Sequence, residues 1–75
     1  MRVSTISHIV ERITHANDTH GKFTGSHHAI NAARIELMEA ELACSYIGTE
    51  AVVRELLDAA VVCIRAAEQF GGVDG

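Results

Sequence analysis

Four carboxylates stand in two pairs that share one spacing. Glu36 and Glu39 are three residues apart in "RIELMEAEL", and Glu55 and Asp58 are three apart in "RELLDAAVV". Residues at this spacing are neighbours on a helix surface, so each pair can present two carboxylates to one ligand. Four carboxylates in a partly dry site repel one another, and a hard divalent cation relieves that repulsion. The pattern predicts a site for Mg²⁺, with Mn²⁺ as the alternative ion, held by Glu36, Glu39, Glu55 and Asp58.

The elements that carry these residues are predicted to be helices, because apolar residues recur at helical spacing throughout the chain. A first, short helix carries the apolar stripe Ile6, Ile9, Val10 and Ile13, and the polar segment from Asn17 to Ser26 is predicted to be a loop. Ser26 is a good N-cap for a second helix that reaches about Tyr46, and the third helix runs from about Glu50 to Phe70. Gly48 ends the second helix, and Thr49 can cap the third.

The predicted fold is all-α: a short N-terminal helix followed by a long antiparallel hairpin. Projection at about 100° per residue points Glu36 and Glu39 inward among alanines, on the side opposite Arg34. Counted from Gly48, the two carboxylate pairs differ in height by roughly 3 Å, so all four can converge between the helices. The simpler interpretation is two solvated acidic pairs, with Asp58 paired to Arg54.

Length and composition restrict the class of protein. With 75 residues, the chain is expected to be one domain, residues 1–75, with 71–75 as a frayed tail. Net charge is −4 and no basic stretch occurs, which argues against nucleic acid. The apolar runs are too short to span a bilayer, and the N-terminus lacks a signal-peptide pattern, so we expect no membrane contact and a cytoplasmic protein. Cys44 and Cys63 are then expected to be reduced and to act as small apolar residues.

A small, alanine-rich core suggests that the chain does not fold alone. Only three aromatic residues are present, and a domain of this length buries only about 60% of the surface of its unfolded chain. We therefore expect a bundle of four-helix type that is completed by oligomerisation.

The motifs resemble those of a known family. "IELME", a spacer of fifteen residues and "ELLD" are similar to the EExxE and ExxD signature of the MazG-type all-α nucleoside triphosphate pyrophosphohydrolases. "GKFTGSHHAINAARIELMEAEL" resembles the small phage and mobile-element members, in which a K-x-G or K-F-G loop precedes the first motif helix. The resemblance covers about Lys22 to Phe70.

This resemblance implies Mg²⁺-dependent hydrolysis of a (d)NTP to the nucleoside monophosphate and pyrophosphate, as a house-cleaning activity. It implies Glu36, Glu39, Glu55 and Asp58 as metal ligands, and a homodimer or homotetramer. Lys22 and Arg65 are candidates for phosphate contact. Arg34 points away from the carboxylates, and none of the five histidines has the spacing of a zinc motif.

The sequence also departs from the family pattern. Ile35 replaces the first Glu of EExxE, the connector between the motif helices is very short, and the fourth helix of many members is absent. The alternatives to the enzyme are therefore a non-catalytic helical oligomer that retains the fold, or an interaction module whose first helix docks on a partner.

Overall fold

A computed structural model of the protein describes residues 1–72, which form three α-helices and no strand. The helices are α1, Val3–His20; α2, Ser26–Tyr46; and α3, Thr49–Gln69. α3 is the central element, because α1 and α2 both pack against it and do not pack against each other. The all-α class is confirmed, and α2 and α3 pack together as a hairpin.

A two-residue turn joins α2 to α3. The backbone N–H groups of Ile47 and Gly48 both donate to the carbonyl oxygen of Ala43, at 2.9 and 3.0 Å. Gly48 has φ of 123°, a backbone conformation that residues other than glycine rarely adopt. This explains why the second helix ends at this glycine, as the sequence predicts. Ser26 and Thr49 are the first residues of their helices, whereas glycines hold the N-cap positions assigned to them.

The core between α2 and α3 consists mainly of alanine. Ala29, Ala40 and Ala43 of α2 and Ala51 and Ala59 of α3 are buried, together with Val61 and Arg65. Short side chains on both helices let the two backbones approach closely. Among residues 1–72 no large side chain is fully buried, so this core is thin.

The prediction of a short first helix was wrong. α1 has 18 residues and continues through the polar segment from Asn17 to His20, where the sequence predicts a loop. It ends at Gly21, whose backbone N–H donates to the Asn17 carbonyl oxygen at 3.3 Å and whose φ is 69°. Polar composition predicted a loop here, but contacts with α3 hold these residues in a helix.

Arg65 of α3 supplies those contacts. It is 7% exposed, and its Nε donates to Asn17 Oδ1 at 3.0 Å while its Nη2 donates to the Gly21 carbonyl oxygen at 2.6 Å. The guanidinium also lies 4.9 Å from the centre of the Phe23 ring. The side chain of Gln69 fixes the same loop by exchanging two hydrogen bonds with the Phe23 backbone, at 2.7 and 2.8 Å. Together they fasten the end of α1 and its loop to α3.

The molecule exposes more surface than a monomer of its size should. Its accessible area is 5679 Å², whereas a folded monomer of 8.1 kDa is expected to expose about 4,500 Å². The radius of gyration is 12.9 Å against about 11 Å for a compact chain of this length. Large apolar side chains such as Leu37, Met38 and Leu42 are part of this exposed surface, and both cysteines are free and exposed.

No helix within residues 1–72 has both the length and the apolar character that crossing a bilayer would require. After α3, Phe70 and Gly71 form a turn. Residues 73–75 of the predicted tail lie outside the described residues.

Replacing Arg65 should destabilise the protein through the loop that it holds. Arg65→Met leaves Asn17 Oδ1 and the Gly21 carbonyl oxygen without their donor, and we expect a loss of about 2–3 kcal/mol in the free energy of unfolding. Urea denaturation followed by circular dichroism measures this loss. Arg54→Met, at an exposed arginine of the same helix, is the matched control and should change stability by less than about 0.5 kcal/mol. Equal stability of the two variants would contradict the assignment.

Candidate metal centre

Three of the four predicted carboxylates meet between α2 and α3. One oxygen atom each of Glu36, Glu39 and Glu55 lies within 4.8 Å of the other two. Glu36 and Glu39 stand on successive turns of α2, and Glu55 faces them from α3. The buried alanines on the same helix faces, such as Ala40 and Ala59, leave the room in which the carboxylates approach.

The three carboxylates differ in their exposure. Glu36 and Glu55 are half-buried, whereas Glu39 is exposed at the rim of the cluster. The prediction that Glu36 and Glu39 both point inward therefore holds for Glu36 only. At about 100° per residue, Glu39 lies some 60° around α2 from Glu36, which is enough to bring it to the edge of the interface.

Asp58 lies beside this cluster but is engaged elsewhere. Its carboxylate forms an ion pair with the guanidinium of Arg12 in α1. The alternative partner considered from the sequence, Arg54, is not the one observed. No local spacing signals this contact, because the two residues are 46 positions apart in the chain. Arg12 is the residue at the site that sequence reasoning missed.

The carboxylates make the site strongly electronegative. Burial, followed by the negative charges of Glu39 and Asp58, raises the pKa of Glu36 to about 7. The pKa of Glu55 is also raised, first by a close carboxylate contact with Glu39, which becomes a hydrogen bond only when one partner is protonated, and then by partial burial. Both residues therefore favour a proton or another positive charge at this position.

One polar atom of the cluster has no partner. Glu55 Oε2 is shielded from solvent and accepts no hydrogen bond from any described residue. Buried polar atoms are nearly always paired, so an orphaned carboxylate oxygen is a place where a cation fits. Mg²⁺ binds oxygen at 2.0–2.1 Å, which sets opposite ligands about 4.2 Å apart, whereas the cluster allows separations of up to 4.8 Å. Small side-chain rotations would close that gap.

The two predicted phosphate contacts lie at the far end of α3. Lys22 and Arg65 line one cavity with Asn17, Gly21 and Gln69. Ten residues separate Glu55 from Arg65, which is about 15 Å along the helix axis. Two of the five N–H groups of Arg65 already donate to the α1 loop, so a phosphate contact at this residue would use the N–H groups that remain on Nη1 and Nη2. A role in substrate binding stays a prediction for both residues.

Other polar candidates contribute nothing to the cluster. Among the described residues no histidine joins the acidic group, and His28 instead accepts a hydrogen bond from the Thr24 backbone at 3.0 Å. Tyr46 is 83% exposed at the end of α2, so it is not a core residue of this chain.

Comparisons with protein-family models, with curated proteins and with solved structures give no match. The resemblance to the MazG-type pyrophosphohydrolases therefore rests on the residues quoted above. The ligand roles of Glu36, Glu39, Glu55 and Asp58 stay predictions, supported by the geometry of three of them.

The raised pKa of Glu36 predicts how stability depends on pH. Between pH 4.5, its ordinary pKa, and about 7, the folded protein holds a proton that the unfolded chain has released. The free energy of unfolding therefore falls as the pH rises through this window, and Glu36 is destabilising above it. Glu36→Gln should raise the melting temperature at pH 8 on the order of 5 °C, the size that about 1 kcal/mol produces, and the gain should vanish by pH 4.5.

Thermal unfolding in EDTA at both pH values measures this difference. Glu11→Gln, at an exposed glutamate of α1, is the control and should show no such dependence on pH. A Glu36→Gln variant that is less stable than wild type at pH 8 would contradict the repulsion described here.

Proposed function

We propose that Glu36, Glu39 and Glu55 bind Mg²⁺, or Mn²⁺ in its place, and that the protein hydrolyses a (d)NTP to the monophosphate and pyrophosphate. The observation that carries the proposal is the cluster of three carboxylates with an unpartnered, buried oxygen on Glu55. The second support is the signature formed by "IELME" and "ELLD", because the family that it resembles carries out this metal-dependent reaction with such a carboxylate cluster.

In this reaction a water oxygen bonds to the α-phosphorus, and the bond from that phosphorus to the bridging oxygen of pyrophosphate breaks. The bound ion would supply charge neutralisation and a water of lowered pKa. The carboxylates hold the ion and orient it between the helices. A carboxylate oxygen of the cluster that does not contact the ion would accept the proton that the water loses.

Asp58 is the fourth ligand in this proposal. Its ion pair with Arg12 is the contact that it would exchange for the ion. Without the cation, Arg12 neutralises Asp58. If Asp58 instead held the ion, the guanidinium of Arg12 would be free beside the site. Guanidinium groups bind phosphate oxygens in bidentate geometry, so Arg12 becomes a phosphate contact that lies closer to the carboxylates than Lys22 or Arg65.

A second candidate function is a helical oligomer without catalysis. Ile35 stands where the family signature has its first Glu, and it is 47% exposed, so it replaces a possible ligand with an apolar surface residue. In either case we propose a single all-α domain in a cytoplasmic homodimer or homotetramer, with helices of a second chain completing the bundle.

Pyrophosphate release from a panel of ribo- and deoxynucleoside triphosphates with Mg²⁺ tests the proposed activity. Glu39→Gln and Glu55→Gln should each lower the rate about a hundredfold or more, because ligands that act as a unit fail together. Helical content should stay the same, and the control Glu11→Gln should keep the wild-type rate. Wild-type protein that releases no pyrophosphate from any nucleotide would favour the non-catalytic candidate. Full activity in both ligand variants would reject the site.

A further inference from the structure

The hairpin leaves one apolar side uncovered, because α1 packs on the opposite side. α1 covers the side of α3 that carries Asp58 and Arg65, which contact Arg12 and Asn17 of α1. Projection at about 100° per residue places a different stripe of α3 on the uncovered side. Its members repeat at the alternating three- and four-residue spacing of a heptad and carry no charge: Val53, Leu56, Ala60, Cys63 and Ala67. All are exposed except Ala60, which is half-buried.

α2 contributes a matching stripe to the same side. Ile30, Leu37 and Cys44 recur every seven residues, and all three are exposed. A shallow groove lies where the two stripes meet, lined by Arg34, Leu37, Met38, Ala40, Glu41 and Cys44 of α2 and by Leu56 of α3. Leu37, Met38 and Leu56 are 50%, 60% and 49% exposed. We call this surface the hairpin face.

The excess exposed area of the chain is comparable to the area that one partner buries in a dimer interface. The chain exposes 5679 Å² where about 4,500 Å² is expected, an excess of roughly 1,200 Å². Stable protein dimers bury about 800 Å² on each partner. One partner seated on the hairpin face would therefore account for most of the excess.

The charges at the groove point to a second copy of the same chain. Arg34 and Glu41 stand on one edge of the groove, seven residues and so two helical turns apart. A two-fold axis between Leu37 and Met38 would run two α2 helices antiparallel and place Arg34 of each copy against Glu41 of the partner subunit. Such self-complementarity is what an isologous interface requires. The net charge of −4 disfavours an anionic membrane as the occupant.

We propose that the hairpin face is the self-association surface of this protein, with a two-fold axis between Leu37 and Met38. The apolar stripes form the centre of the interface, and Arg34 with Glu41 of the partner subunit forms two symmetric ion pairs at its edge. This assignment goes beyond the proposed function, because it locates the partner whether or not the protein hydrolyses nucleotides.

Sedimentation equilibrium at micromolar concentration tests the face with two leucines of α2 that are similarly exposed. Leu37, at 50%, lies in the groove, whereas Leu42, at 58%, lies on the other flank of the helix. Wild type should sediment at twice 8.1 kDa, Leu37→Glu should sediment as a folded monomer, and Leu42→Glu should stay a dimer. Circular dichroism verifies that each variant is helical.

Reversal of the edge charges tests the two-fold axis without disturbing the apolar centre. Arg34→Glu and Glu41→Arg should each weaken the dimer about tenfold, since each places like charges together twice, and the double variant should recover the wild-type dissociation constant. Arg54→Glu, outside the groove, is the control and should not change it.

Three results would overturn the proposal. The first is a wild-type monomer at 100 µM, including one that instead sediments with vesicles of phosphatidylcholine and phosphatidylserine. The second is dissociation by Leu42→Glu but not by Leu37→Glu. The third is a double charge reversal that fails to restore the dimer, which would remove the proposed axis.

Discussion

The close approach of α2 and α3 is the constraint on which the rest of the structure depends. Buried alanines on both helices, Ala40 and Ala59 among them, bring the backbones near enough for glutamates on one helix to reach a glutamate on the other. Larger core residues would bury more apolar area, but they would also hold the helices apart. The thin core and the carboxylate cluster therefore both result from the alanines between α2 and α3.

Both features leave the hairpin incompletely stabilised, because the carboxylates lack a neutralising charge and the apolar side chains lack a covering surface. The cluster concentrates negative charge, so the pKa values of Glu36 and Glu55 rise and one oxygen of Glu55 has no partner. The thin core leaves apolar side chains such as Leu37 and Leu56 in water. A divalent cation would neutralise the carboxylates, and a second chain would cover the apolar side chains. Among the residues that the structure describes, Arg12 of α1 offsets only the charge of Asp58.

The features that the sequence predicts well are those set by neighbouring residues. Glycine at position 48 and helical spacing are enough to locate the hairpin. Three-residue spacing places Glu36 beside Glu39, and the similar distance of Glu55 from Gly48 is enough to predict that it meets them. The features it does not predict are set by contacts between distant residues. α1 extends to His20 because Arg65, 48 positions beyond Asn17, holds its last turn, and Asp58 is paired across 46 positions. A helical projection also cannot separate a residue facing the core from one at its rim, and Glu39 shows that difference.

Direct binding of Mn²⁺ tests the central claim, that the carboxylate cluster is a cation site. Electron paramagnetic resonance of free Mn²⁺, titrated with the protein at pH 7.5, counts the ions bound to each chain without any assumption about substrate. The account predicts one ion per chain, displaced by Mg²⁺, with affinity lowered at least tenfold in Glu55→Gln and unchanged in Glu11→Gln. Equal Mn²⁺ binding by wild type and Glu55→Gln, or none by wild type, would contradict it.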